Sequence, residues 1–572
     1  MRIHNSPWIL GFGALIACSG LLSASRAPQE PGAGAPPGAG VRTSESCALC
    51  HSASDRASAM RDSAGRSVAP FDLWRSTMMA NSARDPFWRA VMSAEMVKAP
   101  ASKELIAETC LKCHAPLAQR VGLDAHGTGD PLHALECEDQ LGQLARDGAS
   151  CTICHGMAPD GLGTPASFSA GFELDPWRRL FGPHKDPVPG PMRMHSGFTP
   201  TYGEQITRSS LCGSCHTLIT HPLHEDGTEE ESIAFHEQSP YLEWRNSMFT
   251  NEGPDGELLE QASPMARTCQ DCHLPRKDVD GKEIVTRLAH NPPGTDFPFI
   301  EPRKPFGRHL LVGGNAFMLS ILRDNAEALD VQAPKEAFDA TIAATREQLG
   351  ARAASVSIGE VTRAEDTASF DVTVTNRTGH KLPTGHPSRR MWLEVVVRDA
   401  AGAVVFASGR CDDEGRIIGA DGAALPTEAA GGPVEPHRDV VTSGDEVARY
   451  RAVIGDMDGA PSHTLLQGAT WYVDDRVLPF GWKPDHADAR ATRPYGVDGD
   501  TNFGAGRDTV RYTIPVAAGA ADLKVEARLL YQSVSPRWVA ELRAYDTPEI
   551  QTFMAMYDRA ERAPEVLAQA RR

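Results

Sequence analysis

Cys47-Ala-Leu-Cys50-His51 opens a pattern that decides how the first half of this chain folds. The Cys-x-x-Cys-His spacing is the attachment signature of a c-type haem, in which two thiols bond to the porphyrin and the histidine ligates the iron. Four more copies follow: Cys110-Leu-Lys-Cys113-His114, Cys151-Thr-Ile-Cys154-His155, Cys212-Gly-Ser-Cys215-His216 and Cys269-Gln-Asp-Cys272-His273. The sequence therefore predicts five covalently attached haems (haem c, with iron), and the five motif histidines as proximal ligands.

Zinc and redox dithiol sites also use paired cysteines, but neither fits this pattern. A structural zinc site groups its ligands in fours, whereas each cysteine pair here carries its own histidine. The chain has 13 cysteines, of which Cys18, Cys137 and Cys411 lie outside the motifs. We expect Cys137 and Cys411 to behave as buried small hydrophobes, and a disulfide bond between them stays open.

The first residues are typical of an export signal. A weakly basic start precedes an apolar run from Trp8 to Ala17 that is too short for a membrane span, so we assign residues 1–17 to a signal peptide. Leu15-Ile16-Ala17-Cys18 resembles a bacterial lipobox, which predicts lipidation at Cys18; cleavage near Ser23 to Ala27 is the alternative. Residues 18–42 are rich in Pro and Gly and read as a tether. We expect a periplasmic or outer-membrane lipoprotein, or one at the cell surface.

The charge balance limits the classes of partner. The formal net charge is −18, which disfavours nucleic-acid binding and suits redox protein partners with basic surfaces. No segment after the signal is apolar enough to span a bilayer, so we expect membrane association through the lipid anchor alone. The oligomeric state stays open.

Residue patterns after the motifs predict a mixed α+β fold. Residues 43–325 read as a mostly α and irregular pentahaem domain, because macrocycles supply much of the core that short helices lack. A connecting helix is expected within 326–352, chiefly over 334–352. Period-two alternation from 353 to 540 predicts a β-sandwich-like domain, and a helical tail is expected over 541–572. The expected strands cover 355–358, 369–374, 392–397, 404–406, 509–514 and 523–529.

The second axial ligand of each iron determines whether a haem is closed for electron transfer or open to substrate. Among the remaining histidines, we favour His195 in a Pro/Gly loop, His309 before a glycine pair, and His380 in Thr378-Gly-His-Lys-Leu-Pro-Thr-Gly-His386. The stiff Gly/Pro loop between two strands predicts that the β domain docks on the haem half and inserts His380, with His386 as the fallback. The weaker candidates are His184, His236 and His290.

Several segments resemble a known family. Trp74-Arg-Ser-Thr-Met-Met-Ala-Asn-Ser-Ala-Arg-Asp-Pro86, Glu237-Gln-Ser-Pro-Tyr-Leu-Glu-Trp244 and Gly379-His-Lys-Leu-Pro-Thr-Gly385 are similar to segments of exported multihaem cytochromes c of the cytochrome c-552/4-like, hydroxylamine-oxidoreductase-type class. In that class the first segment often presents a histidine to iron, whereas Met78 and Met79 stand here. The resemblance therefore implies a His/Met haem with Met79 as ligand, and a core-packing methionine pair is the alternative.

The same resemblance bears on catalysis. The catalytic haems of the class use a lysine in place of the motif histidine or a tyrosine cross-link. All five motifs here end in His, so the lysine variant is absent, and a role for Tyr202 or Tyr241 stays open. No catalytic residue is assigned.

We expect an electron-transfer protein that passes electrons along its haems between periplasmic or outer-membrane redox partners. An oxidoreductase acting on a small nitrogen or sulfur compound at one open haem is the alternative, and a structural subunit of a haem filament is the second alternative.

Overall fold

The computed structural model describes residues 41–122, 131–224, 226–517 and 522–572. The predicted signal peptide, nearly all of the predicted tether and the predicted lipidation at Cys18 lie outside the described residues. Helices dominate as far as about residue 350, and strands dominate from residue 354 to residue 532. The mixed α+β class predicted from the sequence is confirmed.

The first half consists of short helices joined by irregular chain. Proline begins several of them, at the position where its missing N–H has no helical partner to lose. The helices there are α1 Glu45–His51, α2 Pro70–Trp74, α3 Pro86–Lys98, α4 Lys103–His114, α5 Pro116–Arg120, α6 Pro131–Ala134, α7 Gln140–Arg146, α8 Cys151–Gly156, α9 Pro189–Ser196, α10 Ser209–Gly213, α11 Pro240–Arg245 and α12 Cys269–His273.

Two small strand pairs interrupt these helices. β1 Arg179–Gly182 pairs in parallel with β2 Thr199–Tyr202, and β3 Leu218–Thr220 pairs antiparallel with β4 Phe235–Gln238. Among the described residues, no helix is both long and apolar enough to cross a membrane.

Helices α13 Ala316–Asp324 and α14 Lys335–Gln348 connect the two halves. The predicted helix over 334–352 is observed as α14, and one wider turn continues it through Ala353 into the first strand of the β half. Phe338, Thr341, Ile342 and Thr345 are its buried residues, which is the i, i+3, i+4, i+7 spacing of a helix with one apolar face.

The second half contains the six strands that the alternation predicted and five described strands that it did not. The strands are β5 Ala354–Ile358, β6 Thr362–Ala364, β7 Thr367–Asn376, β8 Arg390–Arg398, β9 Val404–Ser408, β10 Val440–Val441, β11 Arg449–Gly455, β12 Pro461–Ser462, β13 Thr470–Asp474, β14 Arg507–Pro515 and β15 Lys524–Gln532. Those not predicted are β6 and β10 to β13. A short helix, α15 Ala489–Thr492, lies between β13 and β14.

Two sheets share one apolar core. In one sheet the described order is β10-β14-β7-β5, with β6 also on β7. In the other sheet β8 pairs with β15 antiparallel and in register from Arg398 opposite Lys524 to Arg390 opposite Gln532. Alternate residues of β7 are buried, and they meet buried residues of β8 and β15 in the same cluster. Each fully buried aliphatic side chain contributes about 1.5–3 kcal/mol.

The predicted helical tail over 541–572 is wrong in its last part. Helices α16 Pro536–Leu542 and α17 Pro548–Tyr557 are followed by a strand, β16 Glu565–Arg571. This strand pairs antiparallel with β15 and buries Leu567 completely. Ala, Gln and Arg favour a helix in isolation, but the open hydrogen-bonding edge of β15 overrides that local preference.

Candidate haem-binding centres

Four attachment motifs lie on helices; the fourth begins in α10 and ends in a turn in which the N–H of His216 bonds the carbonyl of Cys212 at 2.9 Å, as in a helix. This local geometry explains the spacing. On a helix, residues i, i+3 and i+4 share one face, so the two thiols and the following histidine point in the same direction. The N-termini of two of these helices are capped by side chains: Ser150 accepts the N–H of Ile153 ahead of the third motif, and Thr268 forms a capping box with Asp271 ahead of the fifth.

The fold brings the five motifs into one contiguous cluster. The Cys47 thiol contacts Cys151, which joins the first motif to the third. Cys113 contacts Cys215, which joins the second to the fourth. Cys212 contacts Cys269, which joins the fourth to the fifth.

Cys154 lies close enough to Cys212 and Cys215 for its charge to act on both, so the third motif also neighbours the fourth. The first motif therefore neighbours the third, and the third neighbours the fourth. The fourth motif also neighbours the second and the fifth. Sequence spacing could not predict this order.

The motif histidines are oriented as metal ligands. The Nδ1 atom of His51 donates to the carbonyl of Leu288 at 3.1 Å, that of His114 to Ser82 at 3.1 Å, and that of His155 to Phe181 at 2.6 Å. His273 donates in the same way to the carbonyl of Val312. A hydrogen bond at Nδ1 fixes the tautomer and leaves Nε2 available for the iron.

Burial keeps these imidazoles neutral, which is the ligating form. Burial lowers the pKa of His51 and of His114 to about 4, although their backbone hydrogen bonds act in the opposite direction. Burial, with smaller contributions from neighbouring groups of which His273 is the largest, lowers the pKa of His216 to about 4.

His309 faces the third motif. The rings of His155 and His309 are 6.2 Å apart between centroids, with their planes 24° from parallel. The His309 Nδ1 atom donates to the carbonyl of Gly307 at 3.0 Å, so both rings keep Nε2 unused. Two axial imidazoles with metal–nitrogen bonds of about 2 Å place their centroids roughly 6 Å apart. The pair therefore fits the two faces of one iron.

His380 lies where the strand-rich second half of the chain, from residue 354 (the β half), meets the first half, which carries the attachment motifs (the haem half). The charge of His273 acts on His380, and the charge of His380 acts on His216. The Nδ1 atom of His380 donates to the carbonyl of Lys381 at 3.0 Å. A side chain at Gly379 would place its Cβ 2.9 Å from Trp244, so glycine is what allows the loop to approach the haem half this closely.

A buried ionic cluster fixes the His380 loop, and we call it the Glu243 cluster (Glu243, Lys381, Asp474 and Arg476). Glu243 on α11 accepts the backbone N–H of Lys381 at 3.0 Å and the hydroxyl of Thr384 at 2.6 Å. Lys381 Nζ is 2.5 Å from Asp474, and Arg476 bridges Asp474 at 2.7 Å and Glu243 at 3.2 Å.

The Glu243 cluster contains two carboxylates and two cations, so the buried charges balance. Burial alone would raise the pKa of Asp474, but the charges of Arg476 and Lys381 lower it. Well-paired buried charges of this kind fix geometry, because removing one partner leaves an uncompensated charge. No local pattern in the sequence indicated that Glu243 on a haem-half helix would hold this loop.

His386 is arranged differently from His380. Its Nδ1 atom accepts the backbone N–H of Ser388 at 3.1 Å, so the neutral ring carries its proton on Nε2. The ring packs against Phe87 and Trp538, with centroids at 5.8 Å and 5.0 Å. This arrangement suits a packed core histidine, whereas His380 has the free Nε2 of a ligand.

The structure places the methionine pair between two motifs. Met78 packs against an apolar cluster around Phe338. Met79 is half-buried, and its carbonyl accepts the N–H of Ala149 at 3.0 Å, just before the third motif. Met78 therefore takes the core-packing role, and Met79 remains a candidate ligand beside the third motif.

The other histidine candidates differ in their surroundings. His195 is exposed in the last turn of α9 and lies away from the motif contacts described above. Both ring nitrogens of His290 are bonded to carbonyls, those of Asn291 and Ser52. His184 is half-buried, and His236 on β4 has a buried Nδ1 atom without a hydrogen-bond partner.

His221 was missed by the sequence reasoning. It is half-buried, and its Nδ1 atom donates to the carbonyl of Ile233 at 2.8 Å, which repeats the pattern of the motif histidines. Its neighbours Thr220 and Pro222 offered no signal that distinguished it from a surface histidine.

The two tyrosines considered for a cross-link have other roles. The ring of Tyr241 packs on Gly213 inside the fourth motif, and its hydroxyl donates to Glu252 at 2.9 Å. Tyr202 is exposed, with Lys185 over its ring. Tyr241 therefore supports the fourth motif by packing.

Cys137 and Cys411 lie in different halves. Cys137 is buried and its thiol donates to the carbonyl of His133 at 3.8 Å. Cys411 packs against a small cluster in the β half that contains Trp392.

Comparison with known proteins adds one structural likeness. No protein-family model matches the chain, and no curated protein matches it. The chain is similar to a solved structure, a penta-haem cytochrome c552 from Thermochromatium tepidum. The sequence identity is 16%, the TM-score is 0.48, and the likeness covers 94% of this chain and 100% of that chain.

Proposed function

We propose that this protein is an exported pentahaem c-type cytochrome that passes single electrons along covalently bound haems between redox protein partners. The contiguous cluster of five attachment motifs carries the proposal, because neighbouring motifs hold neighbouring haems. Haem supplies one-electron chemistry at its iron when bound, and the chain binds, orients and shields it.

The proposed ligands follow from the histidine geometry. The ten motif cysteines anchor the porphyrins, and His51, His114, His155, His216 and His273 are the proximal ligands. His309 is the distal ligand opposite His155, and His380 is a distal ligand for the fourth or fifth haem. Met79 and His221 are candidates for the remaining positions.

An iron whose second axial position is filled by a protein ligand has no open position for a substrate. Two protein ligands on each iron therefore favour electron transfer over substrate chemistry. Orbital overlap between neighbouring haems requires a rigid scaffold, and the Glu243 cluster supplies rigidity on the side of His380. The acidic surface, with a net charge of −18, would steer basic partners.

A pyridine haemochrome assay on the matured protein tests the haem count, and the proposal requires five haems per chain. Near-infrared magnetic circular dichroism then separates His/His, His/Met and high-spin irons. A high-spin haem that binds carbon monoxide in the wild-type protein would favour the oxidoreductase alternative. Fewer than five haems in fully matured protein would overturn the pentahaem assignment.

A further inference from the structure

A buried histidine and carboxylate cluster lies in the β half, apart from the haem motifs. His437 precedes β10, Asp475 follows β13, Asp500 lies in the loop before β14, and Asp508 lies on β14. Their side chains are at most 4% exposed. One ligand atom each from His437, Asp500 and Asp508 can be chosen so that all lie within 4.8 Å of one another.

The charges of this cluster are not balanced by protein groups that contact it. Three carboxylates surround one imidazole, and Arg451 contacts Asp475 at 3.3 Å. The carboxylates outnumber the cationic groups even when His437 is protonated, and an excess of buried negative charge is costly unless a cation compensates it. With His437 neutral, as a metal ligand is, two negative charges remain. A divalent cation has the required charge.

The individual atoms are spaced close to the separations found in a metal site. The Nε2 atom of His437 donates to the Asp500 carboxylate at 3.2 Å and is 3.9 Å from the Asp508 carboxylate. A bound cation would replace the Nε2 proton. Ligand atoms around a tetrahedral ion with bonds of about 2.0 Å are separated by roughly 3.3 Å. A small closure of the side chains would therefore bring these three atoms to bonding distance.

The buried Nδ1 atom of His437 has no hydrogen-bond partner, and it faces the Asp475 carboxylate at 3.5 Å. A histidine that ligates through one nitrogen commonly presents the other to a carboxylate, which orients the ring. The orphaned nitrogen and its carboxylate are thus placed as that supporting pair.

The two ligand carboxylates are held by other groups. Oδ1 of Asp500 accepts the N–H groups of Asn502 and Phe503, and Oδ1 of Asp508 accepts that of Thr509. The Tyr450 hydroxyl donates to Oδ2 of Asp508 at 2.7 Å. These bonds fix the carboxylates before any ion binds.

We propose that His437, Asp500 and Asp508 bind a divalent first-row transition cation of the zinc class, with Asp475 supporting His437. An imidazole ligand favours zinc-class ions over calcium and magnesium, which prefer all-oxygen sites. Asp508 belongs to one sheet, and Asp475 continues a strand of the other. The ion, through His437 and its contact with Asp475, would therefore link the two sheets.

Zinc binding to the haem-loaded protein tests the site. We would dialyse the wild type against Zn²⁺, measure zinc by mass spectrometry against protein concentration, and repeat the measurement with Mn²⁺ and Ca²⁺. We expect one zinc per chain, loss of that zinc in Asp500→Asn and His437→Gln, and a roughly 10–100-fold weaker affinity in Asp475→Asn. Asp498→Asn, an exposed position in the same loop, is the matched control and should bind as the wild type does.

A second measurement does not depend on any variant folding. A chelator should remove the zinc and lower the thermal unfolding midpoint of the wild type, and added zinc should restore the midpoint. Equal zinc, manganese and calcium uptake by wild type and Asp500→Asn would overturn the proposal, as would an unfolding midpoint of the wild type that neither chelator nor zinc changes. The cluster would then be an ion pair with a protonated His437.

Discussion

His155 and His309 face each other with ring centroids 6.2 Å apart, and each donates its Nδ1 proton to a backbone carbonyl. Two chain segments more than a hundred residues apart thus present unused Nε2 atoms to a common space. This relationship connects the third attachment motif to the segment that follows the fifth.

Replacing His309 with alanine should open one iron. We expect one of the five haems to become high-spin and to bind carbon monoxide when reduced, because the imidazole opposite His155 is lost. Electronic absorption and magnetic circular dichroism measure this change. His224→Ala, in an exposed position that no prediction assigns to iron, is the control and should leave every haem low-spin. An unchanged spectrum in His309→Ala would show that another residue ligates the third haem.

His380→Ala should open a second, different haem, and His386→Ala should open none. The two histidines differ in tautomer. The Nδ1 atom of His380 donates, which leaves Nε2 free to bind iron, whereas the Nδ1 atom of His386 accepts, so its Nε2 carries the proton. Added imidazole should restore the low-spin spectrum of His380→Ala by entering the vacated position. The assignment fails if His386→Ala gives the high-spin signal instead.

Glu243→Gln should destabilise the contact between the two halves. The substitution removes one of two buried carboxylates and leaves the positive charges of Lys381 and Arg476 in excess. Breaking a buried ion pair in this way lowers the free energy of unfolding by about 3–5 kcal/mol. We also expect a fraction of high-spin haem, because the loop that carries His380 loses its anchor. Glu257→Gln is the control, since Glu257 is 72% exposed and an exposed pair contributes about 0–1 kcal/mol. Equal unfolding midpoints for the two variants would contradict the role of Glu243.

Glu95→Gln should change how stability depends on pH. Burial raises the pKa of Glu95 to about 8, although it accepts the N–H groups of Leu465 and Leu466. The folded state therefore holds its proton more tightly than the unfolded state, so the free energy of unfolding falls as the pH rises from about 4.5 to about 8.

The glutamine variant lacks this titration and should gain stability relative to wild type over that range, at about 1.4 kcal/mol per pH unit. Thermal unfolding at pH 5 and pH 8 measures the difference. Glu104→Gln, at an exposed position on α4, is the control. A gain for Glu95→Gln that is the same at both pH values would rule out the titration.

Cys18→Ser should release the protein from the membrane fraction if the lipobox-like segment is processed as predicted. Fractionation and the mass of the mature N-terminus measure this outcome. Retention of the Cys18→Ser variant in the membrane fraction, with unchanged processing, would instead indicate cleavage further along the chain.

Local patterns in the sequence predicted the attachment motifs, the connecting helix and most strands of the β half. Those features depend on residues close in sequence, such as the alternation in β7 or the spacing within Cys151 to His155. The neighbour order of the motifs depends on long-range packing, so no spacing could reveal it. The burial of Glu243 and Asp474 could not be predicted either, because it depends on elements distant in the chain.

The same limit explains one error and one open assignment. His195 was favoured for its Pro/Gly surroundings and lies exposed on α9, and its role as a distal ligand stays a prediction. The residues of β16 have helix-forming composition, and the unpaired edge of β15 determines their structure.

The position of β16 near the end of the chain determines which part of the protein can be completed first. Residues 565–571 complete the sheet next to β15, whereas all five attachment motifs lie before residue 274. In the export that we propose, the motifs would emerge long before the β half can close. The thiols would then be accessible for haem attachment while the loop around His380 still lacks its finished support. Covalent attachment can thus precede closure of the haem cluster by the β half.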